Sequence, residues 1–173
     1  MVTSYRAPIR RDKARKAMHS QTTRTNMAQE AATVARLMEN KGGGVVSIRP
    51  QETLGKAVEV LRDKGIGALI VTDANGGLCG ILSERDVVRK LADTPGQTLP
   101  KRVEEIMTKA VEVCAPSDLL VDVLRRMSKG KFRHMPVADK TGLLGMVTIG
   151  DVVNYRLVEL EHEALQLKQM IAG

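Results

Sequence analysis

A nine-residue phrase occurs twice in this chain. Gly80-Ile81-Leu82-Ser83-Glu84-Arg85-Asp86-Val87-Val88 returns 65 residues later as Gly145-Met146-Val147-Thr148-Ile149-Gly150-Asp151-Val152-Val153. The recurrence extends upstream. Pro50 and Pro116 each precede a helical pattern, and Val71 and Val137 each close a short apolar run. Such a repeat restricts the fold sharply, because one copy leaves an apolar face bare and stacking a second copy covers it. With 173 residues, the copies fit one compact domain or two small ones sharing a core. The seam between them is the first place to expect a ligand.

Periodicity gives each copy the order strand, helix, strand, strand, helix, an α/β (α+β) unit. In the first copy, Val45–Ile48 reads as a strand. Leu54, Ala57, Val58 and Leu61 then line one helical face, with Thr53 as its cap and Gly65 as its stop. Ile66–Val71 and Leu78–Leu82 read as strands joined by a turn at Asn75-Gly76, where positive φ is accepted. The second copy reads as a strand over Val111–Cys114, a helix from Leu119 to about Lys129, strands over Phe132–Val137 and Leu143–Val147, and a helix capped by Thr148. The expected organisation is a basic arm over 1–25, a helix over 26–40 and a first repeat over 41–95. A connector over 96–106, a second repeat over 107–160 and a helical extension over 161–173 follow. Leu157, Leu160, Ala164, Leu167 and Ile171 form an apolar stripe expected to serve core or subunit packing.

The net charge of +7 is concentrated at one end. Residues 1–24 hold seven Arg or Lys against Asp12, whereas the remaining 149 carry 20 basic and 19 acidic side chains. A basic arm can touch nucleic acid or an anionic membrane, and can equally be solvated with no partner. Phe132, Tyr5 and Tyr155 are the only aromatic residues. That scarcity argues against a stacking platform for single-stranded nucleic acid. No apolar run is long enough to span a membrane, and no secretory signal is present. Cys79 and Cys114 fall where the other copy has Leu144 and Ile48, so both read as buried apolar fillers in a reducing, cytoplasmic setting.

These residues resemble a tandem pair of cystathionine-beta-synthase (CBS) domains, the Bateman module, over roughly residues 41–165. The resemblance rests on the doubled Gly-apolar-apolar-Ser/Thr-x-x-Asp, the hairpin before it, the Pro-led helix, and Arg133-His134-Met135-Pro136-Val137. It is nearest to small stand-alone bacterial CBS-pair proteins. It implies two repeats about a pseudo-two-fold axis, two clefts, and homodimerisation into a disc. The implied ligands contain adenosine: AMP, ADP, ATP, S-adenosylmethionine or NAD(H). The implied role is regulation of a protein partner without catalysis. No appended enzyme or transporter domain is visible in the sequence, so that regulation is expected in trans.

The resemblance assigns the ribose hydroxyls to Asp86 and Asp151, and a carboxylate suits a vicinal diol because it offers two acceptor oxygens. Ser83 and Thr148 are assigned to the phosphate, at helix starts that favour anions. Ser-x-x-Asp and Thr-x-x-Asp are equally the pattern of a capping box, which stabilises a helix start without any ligand. Arg133 and His134 stand where the first copy has Gly67 and Ala68. A basic pair there suits phosphate, with Lys131 as a third candidate; a solvent-facing arginine and a backbone-bonded histidine are the alternative. Arg85 and Arg89 could reach a second phosphate, and Gly150 replaces Arg85 in the second copy, so the clefts are expected to be unequal. Val46, Ser47 and Ile66, with Val111, Val113 and Phe132, are adenine candidates that a core would also want. No phosphate-binding loop with Lys-Ser/Thr, metal pattern or nucleophile–base pair is present. Two readings stay open: a nucleotide sensor, and a nucleic-acid-associated protein that binds through its arm with the pair as dimerisation body.

Overall fold

A computed structural model describes residues 32–42 and 44–173. The arm over 1–25 and the start of the helix expected over 26–40 lie outside the described residues. The described part of that helix is α1 (Val34–Lys41), ended by Gly42 at a φ of 74°.

The first repeat comprises β1 (Ser47–Ile48), α2 (Leu54–Lys64), β2 (Ala68–Thr72), β3 (Leu78–Ser83) and α3 (Glu84–Asp93). The Thr53 hydroxyl accepts the Lys56 N–H at 3.2 Å, and Gly65 closes α2 in the left-handed region. β1 runs parallel to β2, which pairs antiparallel with β3. Asp73 Oδ1 accepts the N–H groups of Asn75 and Gly77, both at 2.8 Å, which builds the turn between β2 and β3.

The second repeat comprises α4 (Leu120–Gly130), β4 (His134–Asp139), β5 (Gly142–Thr148) and α5 (Ile149–Ala172). Its first strand, expected over Val111–Cys114, shrinks to one parallel bridge between Cys114 and Val137. Pro136 explains the loss. In the first repeat the Ile70 N–H donates to Val46 O at 3.3 Å. Pro136 holds the equivalent position and has no N–H to give, so the ladder cannot extend past Cys114. Both repeats otherwise follow β-α-β-β-α order.

Each repeat has its own core, completed by the segment that precedes the other repeat. Leu54, Leu69, Val71, Leu82 and Val103 belong to the first core; Leu120, Val123, Met127, Met135 and Val147 belong to the second. Val34 and Leu37 of α1 lie in the second core, remote in sequence. Thr33 bridges Leu119, and the Leu120 N–H reaches Ala32 O at 2.9 Å. In the first repeat Thr53 bridges Arg102, and the Leu54 N–H reaches Lys101 O at 2.8 Å. Residues 99–107 therefore cover the first repeat as residues 32–41 cover the second.

Burial corrects one expectation and narrows another. Cys114 is buried, which pushes its thiol up to about 11, but Cys79 is only half-buried. The α5 stripe is not core: Leu157, Leu160, Leu167 and Ile171 are all exposed. No helix among the described residues is long and apolar enough to cross a membrane.

Candidate functional site

Both motif copies fold into capping boxes. At the start of α3 the Ser83 N–H and hydroxyl donate to Asp86 Oδ2 at 2.9 and 2.6 Å, and Ser83 Oγ accepts the Asp86 N–H at 3.4 Å. At the start of α5 the Thr148 N–H donates to Asp151 Oδ2 at 2.8 Å, and Thr148 Oγ1 accepts the Asp151 N–H at 3.0 Å. The first helical N–H of each donates within its own repeat, to the carbonyl just before the central strand: Glu84 to Gly67 O and Ile149 to Arg133 O, both at 3.0 Å. The cap role thus belongs to all four side chains.

The motif glycines have a steric reason. A Cβ at Gly80 would lie 2.8 Å from Thr108 O and from Met107 Sδ, and one at Gly145 would collide with the Met38 methyl. Each repeat is therefore gripped at one glycine by its covering segment.

A cavity of ≈ 590 Å³ joins the first motif to the strand entry of the second repeat. It is lined by Ser83, Arg85, Asp86 and Arg89 from α3 and its cap, and by Val111, Lys131, Phe132, Arg133 and His134 from the second repeat. Nine predicted residues are thus brought together, with four cationic side chains around one motif carboxylate. Val46, Ser47, Ile66 and Val113 do not line it. Val46 and Ile66 pack on the first core, Ser47 is exposed on β1, and the Val113 carbonyl accepts Arg126 Nη2 at 2.5 Å. Glu84, Thr108 and Glu112 also line the cavity, though the motifs did not single them out. Glu112 is engaged by Arg126 Nε at 2.5 Å.

Lys131 carries the αL turn that ends α4, with a φ of 57°, where the first repeat uses Gly65 at 62°. It is the sole non-glycine residue with positive φ among the described residues. A side chain there costs about 1 kcal/mol relative to glycine. Arg85 Nη1 donates to its carbonyl at 3.4 Å, so α3 reaches across the cleft to this turn. His134 sits opposite Thr148 in the β4–β5 register. A Cβ at Gly67 would come within 3.2 Å of His134 Nε2, so glycine there admits the imidazole. Burial holds that imidazole below the ordinary histidine range. Glu84 opposes the shift, Lys41 adds to it, Asp151 opposes it and Arg133 adds to it.

The second motif is arranged differently. Lys41, at the end of α1, donates to Asp151 Oδ2 at 2.5 Å and to Met146 O at 2.9 Å. In the first repeat the carbonyl equivalent to Met146 belongs to Ile81, and it accepts the backbone N–H of Thr108 at 2.9 Å. An ammonium thus stands in for a peptide N–H and continues to the carboxylate. Burial raises the Asp151 carboxyl, but Lys41 and the Thr148 donors outweigh it and hold the group below the usual aspartate range. A second cavity of ≈ 680 Å³ includes Asp151 and Lys41 but runs between α1 and α5, lined by Leu37, Tyr155, Val158 and His162. Neither Thr148 nor any strand entry lines it. The sequence assigns Lys41 no role, because no local pattern ties it to a carboxylate 110 residues away.

Two pseudo-symmetric repeats, each placing a capped aspartate beside a cavity, define a tandem-repeat module. The family model for the CBS domain matches residues 34–93 and 103–158. The chain belongs to the CBS-domain family, as a tandem pair or Bateman module. It is 37% identical over 116 residues to an uncharacterized 33.4 kDa protein of Thermofilum pendens, covering 67% of this chain and 37% of that one. It therefore spans little more than a third of that relative. It is 30% identical over 152 residues to the mitochondrial CBS domain-containing protein CBSX3 of Arabidopsis thaliana, covering 83% of this chain and 74% of that one. A solved CBS-domain containing protein from Agrobacterium tumefaciens superposes with a TM-score of 0.71 at 39% identity, over 74% of this chain and 96% of that one. CBSX2, solved in complex with AMP, gives 0.62 at 28% identity over 73% and 97%. The CBS pair of protein MJ0100, solved with 5-methylthioadenosine and S-adenosyl-L-methionine, gives 0.66 at 25% over 75% and 98%.

Proposed function

We propose that this chain is a cytoplasmic, homodimeric sensor that takes an adenosine nucleotide into the cleft of the first motif and acts on a protein partner in trans. The observation that carries the reading is the convergence of Asp86 with Arg85, Arg89, Lys131 and Arg133 on one cavity. Both hydrogen bonds described at the Asp86 carboxylate fall on Oδ2. Oδ1 is left for a ribose hydroxyl. The cations and the start of α3 take the phosphate, with Ser83 and His134 beside them, and Val111 and Phe132 flank the base. AMP is the favoured ligand, with ADP, ATP and NAD(H) as longer alternatives that Arg85 and Arg89 could accommodate. The AMP complex of CBSX2 supports this choice. Thr148 and Asp151 take the same roles in the second motif only once Lys41 lets go, so the resting stoichiometry is one nucleotide per chain.

Calorimetric titration of nucleotide-stripped protein with AMP, ATP, NAD⁺, NADH and adenosine tests this. AMP is expected to bind saturably near one per chain. Asp86→Asn, which keeps an acceptor for the cap, is expected to weaken it by at least about tenfold, the loss of a charge-assisted hydrogen bond. Flat traces for every nucleotide would remove the sensor reading.

A further inference from the structure

The second half of α5 carries its own instruction. Val152 is buried at the root of the helix, and no residue after it is buried. From there Val153, Leu157, Leu160, Ala164, Leu167 and Ile171 recur at spacings of four, three, four, three and four. This is a 3.5-residue period, the seam of a left-handed coiled coil. It differs from the face that lines the cavity against α1, which carries Tyr155, Val158 and His162. Nothing in the described chain covers it: Leu160 is 51% exposed, Leu167 60% and Ile171 86%.

We propose that the occupant of this seam is α5 of a second copy, parallel and in register. Charge decides both partner and direction. In a parallel pair the residue before each a position faces the residue five places further along the partner helix, after a d position. Arg156 then meets Glu161 of the second copy, and Glu163 meets Lys168 of the second copy. An antiparallel pair centred on Leu160 and Ala164 would instead set Glu161 against Glu161 and Glu163 against Glu163. Leucine at both central d positions, 160 and 167, suits two strands. Arg156 also reaches Glu159 on its own helix, a contact its forked guanidinium can keep. Fewer than three heptads would not associate as a free peptide. Here the helix is already nucleated by the Thr148–Asp151 capping box and anchored by Val152. The seam gives a contact to the homodimer proposed above and rests on that part of the reading alone; nucleotide binding does not enter.

Sedimentation equilibrium of the full chain tests it, using Leu160→Asp/Leu167→Asp and, separately, Arg156→Glu. The wild type is expected to be a dimer. The double variant is expected to be a folded monomer by circular dichroism, with dissociation at least tenfold easier. Arg156→Glu should weaken the dimer, and adding Glu161→Arg should restore it. Direction is read from Leu167→Cys in a Cys79→Ser background, which should form a disulfide-linked dimer on mild oxidation. A double variant that stays dimeric overturns the seam while leaving the homodimer. A monomeric wild type overturns both. Failure of Leu167→Cys to cross-link in a seam-dependent dimer overturns the parallel register.

Discussion

Replacing Lys41 by methionine keeps its aliphatic length in α1 and removes only the ammonium. The structure sets the size of the effect. Nζ lies 2.5 Å from Asp151 Oδ2, and the two side chains are 35% and 25% exposed. At an effective dielectric of about 20 the bare attraction at 4 Å is about 4 kcal/mol. Desolvating the carboxylate and immobilising a lysine, which alone costs up to about 2 kcal/mol, offset most of it. Fully exposed pairs retain about 0.2–1 kcal/mol and charge-assisted hydrogen bonds about 1.5–3 kcal/mol. A pair one-third exposed falls between, at about 1–2 kcal/mol. The quantity to measure is the coupling in a double-mutant cycle of Lys41→Met, Asp151→Asn and both together, by urea denaturation at pH 7. At about 2–4 °C per kcal/mol, the single variant should melt about 2–8 °C lower. The sign with pH follows from the lowered Asp151 pKa. The coupling is fully present above the unfolded value of about 3.9 and is lost as pH falls through the folded one. A coupling indistinguishable from zero at pH 7 would refute the claim that α1 is pinned to the second motif. The same variant should raise AMP stoichiometry from one towards two per chain.

Three further outcomes follow from the geometry. Lys131→Gly relieves an αL side chain, so it should stabilise the fold by about 1 kcal/mol in chemical denaturation while weakening AMP binding by calorimetry; loss of both properties would contradict the assignment. Gly80→Ala should cost about 1–3 kcal/mol because its Cβ meets the fixed Thr108 carbonyl, whereas Gly145→Ala should cost less because the Met38 methyl can swing away; paired melting curves decide the order. His134 has a lowered folded pKa, so its contribution to stability is complete above about 6.5 and declines as pH falls from there through the folded value; His134→Gln should flatten that slope in denaturation series between pH 8 and 5.

The repeat made the fold legible. Once Gly80 to Val88 and Gly145 to Val153 are aligned, periodicity places most helices and hairpin strands within two or three residues, because local propensity and burial agree there. The missing strand at Val111–Cys114 turned on one absent N–H at Pro136, a register effect that a hydrophobic pattern does not carry. The cleft of the first motif was legible in part, since Arg133 and His134 stood out against Gly67 and Ala68. That the motif of one repeat meets the strand entry of the other depends on packing between repeats. The difference between the motifs was foreseen from Gly150 for the wrong partner: the residue that separates them most is Lys41, brought there by α1.

The crossed pairing of α1 with the later repeat also imposes an order in time. Lys41 is synthesised 110 residues before Asp151. At about 5–20 residues per second, α1 has no docking surface for roughly 5–20 s after it is made. Val34 and Leu37 face solvent or a chaperone throughout that interval, while the first repeat and residues 99–107 can already close on each other. Pulse proteolysis of stalled nascent chains would find the first repeat protected while α1 is still cleaved. The segment nearest the start of the described chain is then the last to find its place, and the second repeat reaches its final form only when that early helix returns to it.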